Sequence, residues 1–212
     1  MKLLACPKCH QQLHLENKTL KCENNHCYDI SKRGYINLLL NPDKATNNPG
    51  DSKESLVARK AYLNKGYYDP ILNQVITCID EFKHQDDLSI LDLGCGEGYY
   101  TQGLKKHFEN SDIYGLDISK IAIDMATRYR KDVTWLVGNS KNIPILDHSL
   151  DFICALFTVV NQDELKRALK EDGYIVHVTA NNQHLIEIKE LIYDEIKVKR
   201  SEECRVGKEC RS

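Results

Sequence analysis

Long apolar runs and an export signal are absent from this sequence of 212 residues. No stretch approaches the roughly 20 consecutive apolar residues that a membrane-spanning helix needs. The opening residues Met1 to Leu4 run directly into Cys6, without the apolar segment and small-residue cleavage site of a signal peptide. Hydrophobic residues make up 42% and charged residues 28% of the chain, a balance that excludes a disordered protein. These absences predict a folded cytoplasmic protein.

Disulfide bonds are not expected either, although the chain has nine cysteines, because no export signal directs it to an oxidising compartment. The spacing of four residues instead suits a metal. Cys6 and Cys9 form a C-x-x-C knuckle, and a second pair follows at Cys22 and His26, a set typical of tetrahedral zinc. A redox role for Cys6 and Cys9 is disfavoured, because thioredoxin-like motifs lie in a βαβ unit. Cys27 stays open as an alternative to His26 as the fourth ligand.

The formal net charge of −2 conceals an uneven distribution. Residues 1–68 hold 11 Lys and Arg against 6 Asp and Glu, a formal charge of +5, and the remaining residues hold 18 against 25, a formal charge of −7. A basic N-terminal part on an acidic body favours an anionic partner such as nucleic acid, although scattered solvated charge gives the same counts.

The chain divides into four predicted segments. Residues 1–40 form a small zinc-ribbon-like β module, in which Leu13–Leu15 and Thr19–Cys22 are predicted as the two strands of a hairpin that turns at residues 16–18. Residues 41–68 form a polar linker and a helix that Ser52 caps, and the linker is expected to separate the core of the module from that of the following domain. Over residues 69–197 strands alternate with helices, which is typical of an α/β fold with a doubly wound, mostly parallel sheet. Residues 198–212 contain few apolar side chains and are interpreted as a disordered tail foreign to the fold. The predicted strands are Leu88–Leu93, Asp112–Asp117, Asp132–Val137, Asp151–Phe157 and Tyr174–Thr179, and the predicted helices of this part are Tyr100–His107, Lys120–Tyr129, Asp163–Leu169 and Asn182–Ile196.

The most informative segment is a glycine-rich turn after the first of these strands, Asp92-Leu93-Gly94-Cys95-Gly96-Glu97-Gly98. Glycines let the backbone approach a ligand, and the N–H groups at the start of the following helix face that ligand. A dinucleotide fingerprint reads G-x-G-x-x-G, whereas this turn reads G-x-G-x-G after an acidic residue, so NAD or FAD is the less favoured ligand. The second strand ends at Asp117, where a carboxylate is suited to accept both hydroxyls of a ribose.

The pattern D-x-G-x-G-x-G resembles the first motif of class I S-adenosylmethionine-dependent methyltransferases, which hold the adenine after the third strand, here at residues 138–140. Joined to the N-terminal module, it resembles a narrower family, the bacterial 23S rRNA (guanine-N1)-methyltransferases of the RlmA type. That resemblance runs from about Leu4 to Lys197, and members of the family continue with further strands, so we expect a C-terminally truncated sheet. Its marks are CPKCHQQL from Cys6, Tyr28-Asp29, KRGYINLL from Lys32, NPGDS from Asn48, ARKAYL from Ala58, LDLGCGEGYY from Leu91, GLDISK from Gly115 and His184-Leu185.

The resemblance implies an enzyme that transfers a methyl group from S-adenosylmethionine to N1 of one guanine in a hairpin of 23S rRNA. It leaves open whether the enzyme forms a homodimer and whether this chain turns over. It implies zinc ligands at Cys6, Cys9, Cys22 and His26, cofactor contacts at Tyr68, Gly96, Glu97 and His184, and a ribose contact at Asp117. The glycine-rich turn itself adds Asp92 and Gly94 as candidate cofactor-binding residues. It names no general base for the proton on N1, so the catalytic residues stay unknown.

An rRNA substrate predicts cations for the phosphates and aromatic rings for an unpaired base. Because N1 of guanine is buried in a Watson–Crick pair, the enzyme needs a loop base or must extrude one. Two other functions stay open: RNA binding by the zinc ribbon on an inactive methyltransferase scaffold, and methylation of a small molecule. The candidate stacking side chains are Tyr35, Tyr62 and Tyr67, and the candidate phosphate contacts are Lys32, Arg33, Lys44, Lys53, Arg59, Lys60 and Lys65.

Overall fold

A computed structural model of the chain describes residues 1–40, 50–128 and 130–180. Several predictions fall outside these residues: the phosphate contact at Lys44, the helix at Asn182–Ile196, the cofactor contact at His184 and the tail from residue 198. Within the described residues, no helix is both long and apolar enough to span a membrane.

The N-terminal module is a three-stranded antiparallel sheet of β1 (His14–Glu16), β2 (Thr19–Lys21) and β3 (Cys27–Asp29). The predicted hairpin is present: β1 pairs with β2 across a turn that contains Asn17 at a φ of 59°, a left-handed conformation that asparagine tolerates well. Because most side chains of these strands are exposed, the module has very little core of its own.

In the described part of the chain, six strands, all parallel, form the central sheet. They are β4 (Ile36–Asn37), β5 (Ser89–Leu93), β6 (Asp112–Asp117), β7 (Thr134–Val137), β8 (Leu150–Leu156) and β9 (Leu169–Val178), in the order β4-β7-β6-β5-β8-β9. The chain runs outward from β5 through β6 and β7, then crosses to β8 on the other side. The carboxyl ends of β5 and β8 therefore flank the switch point, where doubly wound sheets bind their ligands. The predicted fold class is confirmed.

Five helices among the described residues connect these strands: α1 (Lys53–Leu63), α2 (Asp69–Phe82), α3 (Tyr99–His107), α4 (Lys120–Ala126) and α5 (Gln162–Ala168). The Ser52 side chain accepts a hydrogen bond from the Ser55 N–H, as the predicted N-cap requires. Helix α2 buries Val75 and Ile79, one turn apart, against the sheet. Together α2, α3 and α4 cover one face of the sheet around the buried indole of Trp135.

The opposite face of the sheet is covered by α5 and by the N-terminal module. Leu4, Leu13 and Leu20 are at most 2% exposed and belong to one hydrophobic cluster with side chains of β5, β6, β7 and β8. Backbone hydrogen bonds close the same contact: the Ala5 N–H donates to the Pro144 carbonyl at 3.0 Å. The module thus covers part of this face of the sheet, as helices do in other doubly wound α/β folds.

The shared cluster corrects one expectation from the sequence, that a linker separates the core of residues 1–40 from that of the cofactor-binding domain. The module's leucines pack directly on the sheet, and Ile36 in β4 pairs with Leu136 in β7 as part of that sheet. A two-residue strand leaves no periodic pattern in a sequence, so this pairing gave no signal.

Strand β9 is longer than predicted, because it begins at Leu169 directly after α5. Leu150 pairs with Leu169 and Phe152 with Tyr174, so residues 170–173 bulge out of register. The bulge carries the sequence Lys-Glu-Asp-Gly, whose charge and glycine are typical of a turn, which is why the sequence predicted a later start.

Candidate cofactor and metal sites

The glycine-rich turn lies at the carboxyl end of β5 and leads into α3. The N–H groups of Gly94 and Cys95 both donate to the Leu116 carbonyl in β6, at 2.8 and 3.0 Å, which fixes the start of the turn. Gly98 has a φ of +87°, and a Cβ there would lie 2.6 Å from the Trp135 ring, so only glycine fits. Gly96 also has a positive φ, +55°, yet a Cβ there would meet nothing within 4 Å. The turn is packed from behind and leaves open space at its tip.

Asp117 ends β6 beside this tip, and both oxygens of its carboxylate accept backbone hydrogen bonds. The Gly96 N–H donates to one oxygen at 2.9 Å, and the Ser119 N–H donates to the other at 2.7 Å. A carboxylate has about four acceptor positions, so lone pairs remain for a ligand hydroxyl. Burial raises the pKa of Asp117, although these two N–H donors act in the opposite direction.

Two further carboxyl groups lie close to the turn. Asp92 is 1% exposed and accepts a hydrogen bond from the Thr101 hydroxyl, and its burial raises its pKa to about 7. Glu97 is 3% exposed, and burial raises its pKa as well. Among the described residues, its Oε1 atom is buried without a hydrogen-bond partner. Because an orphaned buried acceptor is costly, a donor is missing at this point.

The missing donor gives a fit test for S-adenosylmethionine. That cofactor carries an α-ammonium group, a sulfonium and two ribose hydroxyls. The Glu97 carboxylate matches the ammonium, the Asp117 carboxylate matches the hydroxyls, and the open tip at Gly96 leaves room for the chain between them. The donor and acceptor types present therefore fit this cofactor.

The other predicted cofactor residues border the same region. Tyr68 is the half-buried N-cap of α2, and its ring lies 6.1 Å from the ring of Phe157, the residue that follows β8. Gly138 follows β7, and its N–H donates to the Asp117 carbonyl at 3.0 Å, which places residues 138–140 beside the end of β6. The structure thus brings Tyr68, Glu97, Asp117 and the glycine turn into one region.

The four predicted zinc ligands form one cluster, in which all the ligand atoms lie within 4.8 Å of one another. Cys9 Sγ lies 3.7 Å from Cys22 Sγ, and His26 Nδ1 lies 3.4 to 3.5 Å from the sulfurs of Cys6, Cys9 and Cys22. Tetrahedral zinc with Zn–S of about 2.3 Å and Zn–N of about 2.0 Å requires edges of roughly 3.8 and 3.5 Å. The distances between these four ligand atoms therefore match those of a tetrahedral zinc site.

The protonation chemistry of the cluster also suits a metal. The backbone N–H of Gln11 lowers the pKa of Cys9 to about 6, so its thiolate is available at neutral pH. Burial raises the pKa of Cys22, so metal binding at this ligand releases a proton. Cys27, the alternative to His26, is exposed and donates its S–H to the Asn25 carbonyl, outside the cluster.

The predicted RNA-contacting side chains divide into two groups. Lys32, Arg33 and Arg59 are exposed, and Arg33 and Arg59 form ion pairs with Asp124 and Asp51. Tyr35, however, is only 7% exposed and packs in the core on the helical face of the sheet, so it is wrong as a stacking candidate. The basic residues before Tyr35 suggested a surface position. Tyr35 is buried instead because it directly precedes β4, which is part of the central sheet.

Sequence reasoning missed some side chains that complete these sites. The Tyr28 hydroxyl lies 3.2 Å from Cys6 Sγ, and the Thr101 hydroxyl bonds Asp92 from the first turn of α3. Thr158 lies so close to the glycine turn that a Cβ on Gly94 would be 2.4 Å from its Oγ1. Thr101 follows Asp92 by nine residues on the next element, a spacing that a strand–turn–helix geometry allows one to anticipate; the Tyr28 and Thr158 contacts left no such signal.

Comparison with known proteins places both parts of the chain. Residues 4–45 match the family model described as "RlmA, N-terminal", and residues 90–173 match the model "Methyltransferase domain". A putative 23S rRNA (guanine-N1)-methyltransferase of Bacillus subtilis is 30% identical over 198 residues, which cover 90% of this chain and 69% of the relative. The 23S rRNA (guanine(748)-N1)-methyltransferase of Streptomyces fradiae is 29% identical and covers 89% of this chain and 67% of the relative. The chain spans about two thirds of the length of these relatives.

Solved structures agree on the fold. A putative S-adenosyl-L-methionine-dependent methyltransferase of Methanococcus maripaludis has a TM-score of 0.51 at 22% identity, covering 69% of this chain and 74% of that one. The match to the Bacillus subtilis relative extends over both the metal-binding module and the sheet. The two family models match these same two parts of the chain, one each. The chain therefore belongs to the RlmA-type family of S-adenosylmethionine-dependent 23S rRNA (guanine-N1)-methyltransferases.

Proposed function

We propose that this chain transfers the methyl group of S-adenosylmethionine to N1 of a guanine in a hairpin of 23S rRNA. The observation that carries the proposal is the shared core, because the zinc module typical of this family packs on the same sheet that bears the cofactor turn. The cofactor supplies a methyl group already activated on a sulfonium. The protein's task is then to hold the acceptor atom, the methyl carbon and the sulfur in line, which requires positioning rather than a covalent nucleophile.

The cofactor contacts are proposed from the geometry of the turn. Asp117 accepts the ribose hydroxyls, Glu97 accepts the ammonium, and the turn from Gly94 through Gly96 runs beside the chain between them. Asp92 lies behind this turn, bonded to Thr101, and contributes negative charge rather than a direct contact. Residues 138–140 border the adenine, and Tyr68 lies at the entrance of the cofactor site. His184 is kept as a cofactor contact on the family resemblance alone.

Cofactor affinity is expected to rise with pH through neutrality. Burial raises the pKa values of Asp92, Glu97 and Asp117, that of Asp92 to about 7. Neutral Asp92 stabilises the empty protein at low pH, and this contribution is lost as the pH rises through 7, whereas a cationic ligand favours the ionised form. If ionised Asp92 is required, the Kd of S-adenosylmethionine should fall about tenfold between pH 6 and pH 8. Calorimetry across that range measures it.

Two controls isolate the charge effect. S-adenosylhomocysteine lacks the methyl group and with it the sulfonium charge, so its Kd should change much less over the same range. In Asp92→Asn the amide oxygen still accepts the Thr101 hydroxyl but cannot titrate, so the pH dependence should shrink. Equal pH dependence of the two ligands would contradict the proposal that the negative charge of ionised Asp92 favours the sulfonium of the cofactor.

Zinc is proposed to be held by Cys6, Cys9, Cys22 and His26, with a structural role. All four positions of a tetrahedron come from the protein, which leaves no open position for a substrate or water. Tyr28 supports the cluster through its contact with Cys6 Sγ. The bound metal would then stabilise the module in the conformation that packs on the sheet.

The rRNA part of the proposal is supported by the placement of basic residues. Lys60 in α1 lines one small cavity together with Glu97 and Tyr99, so it borders the cofactor turn, and Arg59 precedes it in the same helix. Arg33 reaches Asp124 in α4, and α4 contacts α1, so this cation lies on a neighbouring element. The Arg33 and Arg59 side chains are about half exposed, so solvent weakens their ion pairs and RNA phosphates can replace their carboxylate partners.

Methyl transfer to a synthetic rRNA hairpin tests the proposal directly. Methylation at N1 blocks the Watson–Crick edge of guanine, so reverse transcription should stop at one guanine after incubation with S-adenosylmethionine. Hairpins in which each guanine in turn is replaced by adenine should locate the target and lose the stop at one position. Transfer to a quinone or an amine without transfer to RNA would favour the small-molecule alternative. Hairpin binding without any transfer would favour the inactive scaffold.

A further inference from the structure

An exposed group of aromatic side chains lies at the switch point of the sheet, and the cofactor site does not account for it. We call Tyr62, Tyr67 and Phe157 the aromatic platform; they are 50%, 62% and 43% exposed. The rings of Tyr62 and Tyr67 are 5.1 Å apart, and Tyr68 links them to Phe157 with centroid distances of 6.1 Å on either side. Clusters of large exposed apolar side chains mark binding surfaces more often than isolated ones do.

Phe157 is held beside the cofactor turn by its backbone. It follows the last residue of β8, and its N–H still donates to the Val178 carbonyl of β9 at 2.8 Å. The next residue, Thr158, packs against Gly94. The Phe157 ring therefore lies at the carboxyl ends of β5 and β8, next to the turn proposed to hold the cofactor.

The conformation of Phe157 is unfavourable for its residue type. Its φ is +57°, a left-handed region that a bulky side chain rarely adopts. Its ring is also 43% exposed, so core packing does not explain why a large side chain occupies a position that glycine would fill without strain. Strained residues that persist without a packing benefit cluster at ligand sites.

We propose that the aromatic platform stacks the acceptor purine after it leaves the RNA helix, with Phe157 next to the methyl-transfer position and Tyr67 at the outer edge. This inference rests on the proposed function, because it takes an RNA base as the substrate. An extruded base presents a π-face to aromatic rings, and stacking on them is sequence-tolerant and strong. The charge around the platform favours RNA over an apolar protein partner, since Arg59, Lys60 and Lys65 lie in the same helix and turn.

Substitutions at Phe157 test this assignment. Phe157→Gly removes the ring and suits the positive φ, so the chain should remain folded. The KM for the hairpin should rise at least about fivefold, the lower end of the effect of removing one stacking partner. Phe157→Tyr keeps a ring and should restore the KM to within about twofold of the native value, since stacking needs only a π-face. The Kd of S-adenosylmethionine should not change in either variant.

A spectroscopic measurement separates stacking from catalysis. A hairpin with 2-aminopurine at the target position should lose fluorescence on binding the native chain, because stacking on an aromatic ring quenches this base. The quench should be weaker in Phe157→Gly and in Tyr67→Leu. Leu15→Ala is the matched control, since Leu15 is also 52% exposed but lies on β1 in the zinc module.

The outcomes distinguish this inference from the proposed function. If the native chain methylates the hairpin but Phe157→Gly and Tyr67→Leu keep its KM and quench, the platform assignment is wrong and the proposed function stands. If the native chain transfers no methyl group to the hairpin, the proposed function fails, and the inference with it. Loss of binding to another protein in these variants, with RNA binding intact, would also overturn the assignment.

Discussion

Cys9→Ser is expected to destabilise the whole described chain, including the cofactor-binding sheet. Without zinc the N-terminal module has too little core to stay folded, and it would then withdraw from the sheet. Leu4, Leu13 and Leu20 are almost completely buried in the shared cluster, and exposing them costs about 1.5–3 kcal/mol each. The sum is comparable with the total stability of a domain, about 5–15 kcal/mol. The effect should therefore be global.

Trp135 makes the measurement straightforward, because it is the single tryptophan of the chain and is buried in β7, far in sequence from the zinc ligands. Urea unfolding followed by its fluorescence should shift to a clearly lower midpoint in Cys9→Ser, and zinc removal by a chelator should do the same. Cys27→Ser is the matched control, because that thiol is exposed and outside the cluster, and its midpoint should stay unchanged. An unchanged Trp135 transition in Cys9→Ser would mean that the module unfolds on its own.

The sequence predicted those parts of the molecule that depend on local chemistry. The glycine turn needs positive φ values at fixed positions, and the zinc knuckles need ligands at short spacing, so both leave a pattern in the chain. Strand β6 was predicted with its observed bounds, because its apolar residues end at an acidic residue in a recognisable way. Each of these features could be predicted from a few neighbouring residues.

The parts that the sequence did not reveal depend on contacts between distant residues. Nothing near Leu4 or Leu20 indicates that they pack on β5 and β6, and β4 is too short to show a period. Phe157 looked like the end of a strand, and its positive φ emerges only where the backbone turns to place Thr158 against Gly94. Tertiary packing decided each of these positions, which is why a local pattern could not.

Asp117→Ala is expected to weaken cofactor binding by at least about 1.5 kcal/mol, more than a tenfold increase in Kd. The expectation has two physical sources. The variant removes the proposed acceptor for the ribose hydroxyls, and it also frees the Gly96 and Ser119 N–H groups, which the carboxylate holds at 2.9 and 2.7 Å. The second source disturbs the turn itself, so an affinity loss alone does not show where the ribose lies.

A double-mutant cycle with a modified ligand separates the two sources. The Kd of S-adenosylhomocysteine and of an analogue lacking one ribose hydroxyl are measured by calorimetry on the native chain and on Asp117→Ala. If Asp117 bonds the ribose, the missing hydroxyl should cost affinity in the native chain and nearly nothing in the variant, because a coupling energy appears only between groups in contact. Asp112→Ala, an exposed carboxylate at the other end of the same strand, should leave both Kd values unchanged. Equal losses in the native chain and Asp117→Ala would place the ribose elsewhere, and Asp117 would then be a residue that shapes the glycine turn without touching the cofactor.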